Sequence, residues 1–172
     1  MNMIITCSRN NEFNAREEMK QVLDQFKNHS YNITITKLSG ILFIKTSIDP
    51  KYVIELIKNK IILEPWSIRY CSRIIPIHNE VKTTVMEITN GVLKLLKLNK
   101  DDRYRITIEK RNSKISTKEI ISKIAKNVPN KVSLTCFDYE IMIQIVGERT
   151  GITVEQPNSI LSVLKLKRSE SE

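Results

Sequence analysis

Within the first 76 residues, short strand-like runs and helix-period runs alternate in an order that few folds accommodate. Residues 3–7 form a short apolar run. Met19, Val22, Leu23 and Phe26 then recur at helical spacing behind the capping-box-like sequence Asn14-Ala15-Arg16-Glu17. Residues 31–36 alternate, with Tyr31, Ile33 and Ile35 on one face and Asn32, Thr34 and Thr36 on the other. Gly40 marks a turn before the buried run Ile41–Ile44. Asp49-Pro50 opens a second helix, with Asp as cap and Pro at the first helical position, and Val53, Ile54, Ile57 and Ile61 supply its apolar side. Trp66, Ile68 and Tyr70 alternate into Ile74-Ile75. The predicted order is β-α-β-β-α-β, the ferredoxin-like plan.

Pro76 and His78-Asn79 break this pattern and place a boundary at residues 75–79. Val81, Val85, Ile88, Val92, Leu95 and Leu96 predict a long helix, and residues 103–109 a strand. Lys110 to Lys114 form a basic loop, and Ser116-Thr117-Lys118-Glu119 is a capping box leading to Ile120, Ile121, Ile124 and Val128. Strands are expected at 131–136 and 140–146, then a turn bracketed by Gly147 and Gly151, a short strand at Ile152 and Val154, and a last strand over Leu161–Leu166. The reading is an α+β chain with domains at 1–76 and 77–168 and a loose tail at 169–172.

Lys and Arg number 28 against 19 Asp and Glu, a formal charge of +9. The excess is spread: 11 against 7 in residues 1–74, and 17 against 12 beyond them. Such charge suits a polyanionic partner, through counterion release, and it also suits a lysine-rich solvated surface. Three basic clusters stand out: Arg69 with Arg73; Lys110, Arg111 and Lys114; and Lys165, Lys167 and Arg168. The middle one adjoins the helix opening at Ser116, where backbone N–H groups and the helix dipole favour phosphate.

Catalytic chemistry has few candidates. The two histidines, His29 and His78, lie far apart, and the glycine-rich loops that cradle phosphates are missing. No clustered Cys offers a metal site; Cys7, Cys71 and Cys136 are expected as buried free thiols. No catalytic, cofactor-binding or metal-binding residue is expected. No apolar run approaches a membrane span, and the expected location is cytoplasmic. Ser39–Ile44 faintly echoes an RRM strand, but Ile41 stands where a ring is wanted and Phe43 reads as core, which disfavours base stacking by the first unit.

An ordered set of short stretches carries a family likeness: Thr6-Cys7-Ser8-Arg9, Gly40 with Ile44-Lys45-Thr46, Arg73-Ile74-Ile75-Pro76-Ile77, Ile108-Glu109-Lys110-Arg111, Lys131-Val132-Ser133-Leu134, Asp138-Tyr139-Glu140-Ile141 and Gly151-Ile152-Thr153-Val154. Through these the chain resembles the stand-alone THUMP proteins that assist tRNA cytidine acetylation, and their archaeal relatives. It departs at Ser133, where the family usually has an acid, and at Phe137, where it usually has Pro. The resemblance implies a ferredoxin-like domain followed by a THUMP domain that binds tRNA near the acceptor stem and CCA end. It implies an adaptor presenting tRNA to a separate modifying enzyme, by analogy a cytidine acetyltransferase. By carry-over Arg73, Lys110 and Arg111 contact phosphate, with Lys114 added on position. A self-sufficient RNA enzyme and a protein-binding scaffold remain the other readings.

Overall fold

The computed structural model describes residues 1–27 and 29–170. They form two compact units, one of Met1–Pro76 with the segment from Ile160, the other Ile77–Ser159.

The first unit is a five-stranded antiparallel sheet carrying two long helices. Its strands are β1 (Met3–Cys7), β2 (Tyr31–Ile35), β3 (Ile41–Thr46), β4 (Cys71–Pro76) and β9 (Leu161–Ser162), in the order β2-β3-β1-β4-β9. Its helices are α1 (Glu12–Leu23) and α2 (Pro50–Leu63). β1 pairs with β3 and β4 so that Met3 and Ile5 stand opposite Ile44 and Leu42, and Ile5 opposite Ile74. That register puts Met3, Ile5, Leu42, Ile44 and Ile74 in one core with Met19, Val22 and Leu23 of α1 and Val53, Ile57 and Ile61 of α2.

Local rules explain α2 fully: the Asp49 carboxylate accepts from the Lys51 N–H at 2.9 Å, and Pro50 opens the helix. They fail for α1, which opens at Glu12 rather than Asn14 and has no side-chain cap. Its first turn is tied by a tertiary contact instead. The Glu12 carboxylate accepts from the Gly40 N–H at 2.6 Å and from Ser39 Oγ at 3.1 Å.

Trp66, Ile68 and Tyr70 do not form a strand. β4 begins only at Cys71, because the backbone donors before it are taken by a buried side chain: Glu18 accepts from the N–H groups of Arg69 (2.5 Å), Tyr70 and Cys71 (2.9 Å). Burial, and then the Glu18 charge, push the Cys71 thiol well above its ordinary pKa.

The expected second domain over 77–168 is corrected at its end. Residues from Ile160 onward return to the first unit: Leu161 and Ser162 pair with Ile74 and Arg73, and Leu161 and Val163 are buried in its core. The expected strand Leu161–Leu166 stops at Ser162. Val163 begins α5 (Val163–Ser169), where Val163 and Leu166 lie three apart on the inner side of the helix. Ser169 of the expected loose tail is therefore helical and Glu170 caps the helix, while 171–172 lie outside the described residues.

The second unit contains β5 (Asn79–Lys82), α3 (Val85–Leu95), β6 (Tyr104–Arg111), α4 (Thr117–Asn127), β7 (Tyr139–Val146) and β8 (Arg149–Glu155). Its sheet runs β5-β8-β7-β6, with β6 and β7 parallel and the other pairs antiparallel. Ile141, Ile143 and Ile145 of β7 and Ile152 of β8 share a core with Ile88 and Val92 of α3 and Ile120 and Ile124 of α4. Tyr104 is fully buried with its hydroxyl unpartnered, and burial raises its pKa.

Several expectations for this unit are corrected, and β6 runs through Lys110 and Arg111, which were expected in a loop. Val81 lies on β5 and not on a long helix; Thr84 caps α3 by accepting from the Glu87 N–H, so the helix starts at Val85. Residues 131–136 give only a parallel bridge from Val132 to Tyr104, since Ser133 Oγ accepts from the Cys136 N–H and closes a turn. Cys136 is consequently exposed, whereas Cys71 is buried and Cys7 half-buried. Gly151 sits inside β8, where a Cβ would come within 2.6 Å of the Ile77 side chain.

Gly40 has φ of +77°, and a Cβ there would lie 2.6 Å from the Cys7 carbonyl oxygen. Gly40→Ala is expected to destabilise the protein by about 2 kcal/mol or more in urea unfolding, since both backbone strain and a backbone clash oppose it. Hydrogen bonding from Gly40 foremost, with help from Ser39, holds the Glu12 carboxyl below its ordinary value of 4.5. A carboxyl depressed in the folded state stabilises above the unfolded value and loses that contribution as pH falls through the folded one. Melting profiles below about pH 4.5 are therefore expected to be flatter for Glu12→Gln than for the parent.

Candidate nucleic-acid interface

The strand registers of the second unit gather basic residues at one end of its sheet. Arg111, the last residue of β6, pairs with Val146, the last of β7. Val146 pairs with Arg149 across the β7–β8 turn, and Arg149 pairs with Lys82 at the end of β5. Lys82, Arg149 and Arg111 thus lie along one row, with Lys110 beside them. Helices α3 and α4 both start from this end, since each follows the strand that ends there. A groove here is lined by Lys82, Thr84, Asn112, Ser113 and Arg149.

The turn into α4 is tightly built. Asn112 takes φ of +51°, and the Gly147 N–H donates to the Arg111 carbonyl at 2.9 Å. Ser113 Oγ accepts from the Ile115 N–H, and Lys110 Nζ donates to the Ile115 carbonyl at 2.9 Å. Ser116 Oγ accepts from the Glu119 N–H at 3.2 Å, which is the first half of the expected capping box. A second groove runs along α4 past Ser116, Lys118, Ser122, Lys123 and Lys126.

The middle cluster divides by role. Lys110 and Lys114 are exposed. Arg111 donates to Gln144 Oε1 and to Glu109 Oε2, both at 3.1 Å, so its guanidinium is held by the sheet. Arg149 pairs with Glu80, and Glu148 also lines the groove.

The other five expected residues lie in the first unit. Arg69 is in the loop before β4, not on the strand, and its guanidinium stands 6.0 Å from the Tyr70 ring centroid. Arg73 is on β4 opposite Ser162. Lys165, Lys167 and Arg168 are on α5, with Lys167 Nζ donating to the Ile68 carbonyl at 2.6 Å. Two clusters separated by nearly a hundred residues of sequence thus belong to the same unit. Lys82 and Arg149 were missed because only register brings them to the row. The α4 lysines had a readable signal, since Lys118, Ser122 and Lys126 recur every four residues.

His29 stacks on Tyr31 with ring centroids 5.3 Å apart, and His78 Nε2 lies 3.4 Å from Glu155 Oε1. Among the described residues no group of His, Cys, Asp and Glu is arranged to hold a metal ion, and no helix is long and apolar enough to cross a membrane.

Residues 82–155, from the end of β5 to the end of β8, match the family profile of the THUMP domain. The second unit carries a THUMP domain. A comparison with curated protein sequences finds no match. Among solved structures, PH1313 from Pyrococcus horikoshii is similar over 91% of this chain and 55% of its own, with a TM-score of 0.68 and 17% identity. TrmN from Thermus thermophilus is similar over 91% of this chain and 47% of its own, at a TM-score of 0.57 and 10% identity. A 4-thiouridine synthetase, solved in complex with RNA and ATP, is similar over 94% of this chain and 42% of its own, at a TM-score of 0.52 and 13% identity. At these identities the likeness is one of fold, and the chain spans about half the length of each.

Proposed function

We propose that the chain binds tRNA through the end of the THUMP sheet where Lys82, Arg149 and Lys110 meet the start of α4, and that it presents this tRNA to a separate modifying enzyme. The observation that carries the reading is the row of basic strand ends beside a helix N-terminus, within residues matched to the THUMP domain. Exposed lysines give mobile point charges for phosphates, and the N–H groups at the start of α4 add a fixed positive end. Arg111, tied to Glu109 and Gln144, sets the shape of the strand end and is the positioning residue of the group. The RNA bound to the 4-thiouridine synthetase supports a nucleic acid as the ligand of this fold. The acceptor stem and CCA end as the bound region, and a cytidine acetyltransferase as the enzyme served, come from the family resemblance.

Lys82→Ala with Lys114→Ala is expected to weaken tRNA binding and to reduce the slope of log affinity against log salt by up to about two units, about one for each phosphate contact removed. Filter binding across a salt series measures this, and parental affinity and slope in the double variant would remove the site from consideration. For the adaptor role, purified protein incubated with tRNA and acetyl donor alone is expected to leave nucleosides unchanged by mass spectrometry. Addition of the acetyltransferase should yield acetylcytidine at a rate that depends on this protein. Product formed without the enzyme would make the chain itself the catalyst.

A further inference from the structure

The first unit holds a surface that the THUMP reading does not use. Leu63, at the end of α2, is 77% exposed, and Trp66, in the loop that follows, is 70% exposed. Tyr70 and Arg69 complete the loop's outer side. Two large apolar side chains exposed within four residues of sequence mark an interaction site more often than a lone one does.

This loop is held at its carboxyl end, and within it the Ser67 N–H donates to the Glu64 carbonyl at 2.9 Å. Glu18 accepts from three successive backbone N–H groups at Arg69, Tyr70 and Cys71, and Ile68 is buried beneath it. Lys167 of α5 donates to the Ile68 carbonyl. Trp66 is therefore presented on an ordered backbone, and a ligand stacking on it loses little loop entropy.

Its electrostatic surroundings select the ligand. Arg69 is in the loop itself. Lys167 reaches the loop from α5, and Arg168 follows it on that helix. Glu64 and Glu170 are the acids nearest in sequence, and the Glu18 carboxylate against the loop is taken up by its three backbone donors. A protein partner covering Leu63 and Trp66 would have to desolvate these cations, whereas a nucleic-acid backbone supplies phosphates to them. An exposed ring among Arg and Lys is the arrangement that holds single-stranded nucleic acid: bases stack on the ring and the chain follows the charge. The ring that the sequence reading discounted, Phe43, is indeed buried in β3; Trp66 lies outside the sheet altogether.

We propose that Trp66, with Arg69 and Lys167 of α5, is a stacking platform for an unpaired base of the bound RNA. It rests on the tRNA reading, and it adds a second contact, on the first unit, that recognises single-stranded RNA.

Trp66 is the only tryptophan in the chain, so intrinsic emission reports this site alone. The probes are a tRNA transcript, single-stranded oligoadenylate and a blunt-ended RNA duplex. The transcript and the oligoadenylate are expected to quench Trp66 emission, and the duplex to leave it unchanged. Trp66→Ala is expected to weaken oligoadenylate binding roughly five- to hundred-fold, and Trp66→Phe to retain most of it. With the side chain largely in water, both variants should melt like the parent, which circular dichroism verifies. Tight tRNA binding by filter assay with emission unchanged, or with Trp66→Ala binding as tightly as the parent, would overturn the platform and leave the tRNA reading standing. It would also assign Leu63 and Trp66 to a protein partner. Failure of the parent to bind any of the three RNAs would overturn both.

Discussion

The parallel pairing of β6 with β7 determines where the chemistry of the second unit lies. Parallel neighbours cannot be joined by a tight turn; the chain must cross over, and here it crosses through α4. That crossover has to leave from the carboxyl end of β6, so the amino end of α4 is placed beside Arg111 by topology before any side chain is considered. The antiparallel β7–β8 and β5–β8 pairs then bring Arg149 and Lys82 to the same end. In an open α/β sheet, the carboxyl ends of parallel strands are the general location of ligands, and the basic row lies there for the same reason.

In the first unit a comparable role falls to one carboxylate. Glu18 is nearly buried, and its charge is satisfied by backbone donors instead of a cation. A buried carboxylate is tolerated when hydrogen bonds replace its hydration, and three successive N–H groups do so here. The cost to the sheet is a β4 shortened at its start. What results is a loop fixed tightly enough to keep Trp66 and Arg69 outside, which a strand extended back to Trp66 would have paired into the sheet edge.

The parts of this fold that were legible in the sequence are those governed by local rules. Asp49-Pro50 and Ser116 announced their helices, because a cap needs only residues two or three positions away. The buried spacing of Ile120 and Ile124, and the alternation of Ile141, Ile143 and Ile145, were readable for the same reason. The misreadings occurred where distant residues decide. Glu12 opens α1 through Gly40, Glu18 dissolves the alternation of Trp66, Ile68 and Tyr70, and β4 draws Leu161 away from the domain that precedes it in sequence. The candidate site follows the same division. Lys110, Lys114 and Ser116 are close in sequence and could be named together, whereas Lys82 and Arg149 meet only through register.

Arg111 shows why a basic residue at such a site need not be a contact. Its guanidinium is shared between Glu109, which offsets its charge, and Gln144, which is fully buried. The Arg111 bond fixes the Gln144 side chain with its oxygen toward β6, leaving the amide nitrogen buried and unpartnered. That is an unfavourable arrangement for the amide, and it persists because the bond to a charged donor outweighs one unmade neutral bond. A residue so bound adds little net charge for a phosphate to neutralise. Its contribution is geometric: it holds the end of β6 against β7, and so fixes where Lys110 and the turn through Asn112 emerge. Affinity then falls to the lysines, whose solvated charges are the ones able to release counterions from an RNA backbone.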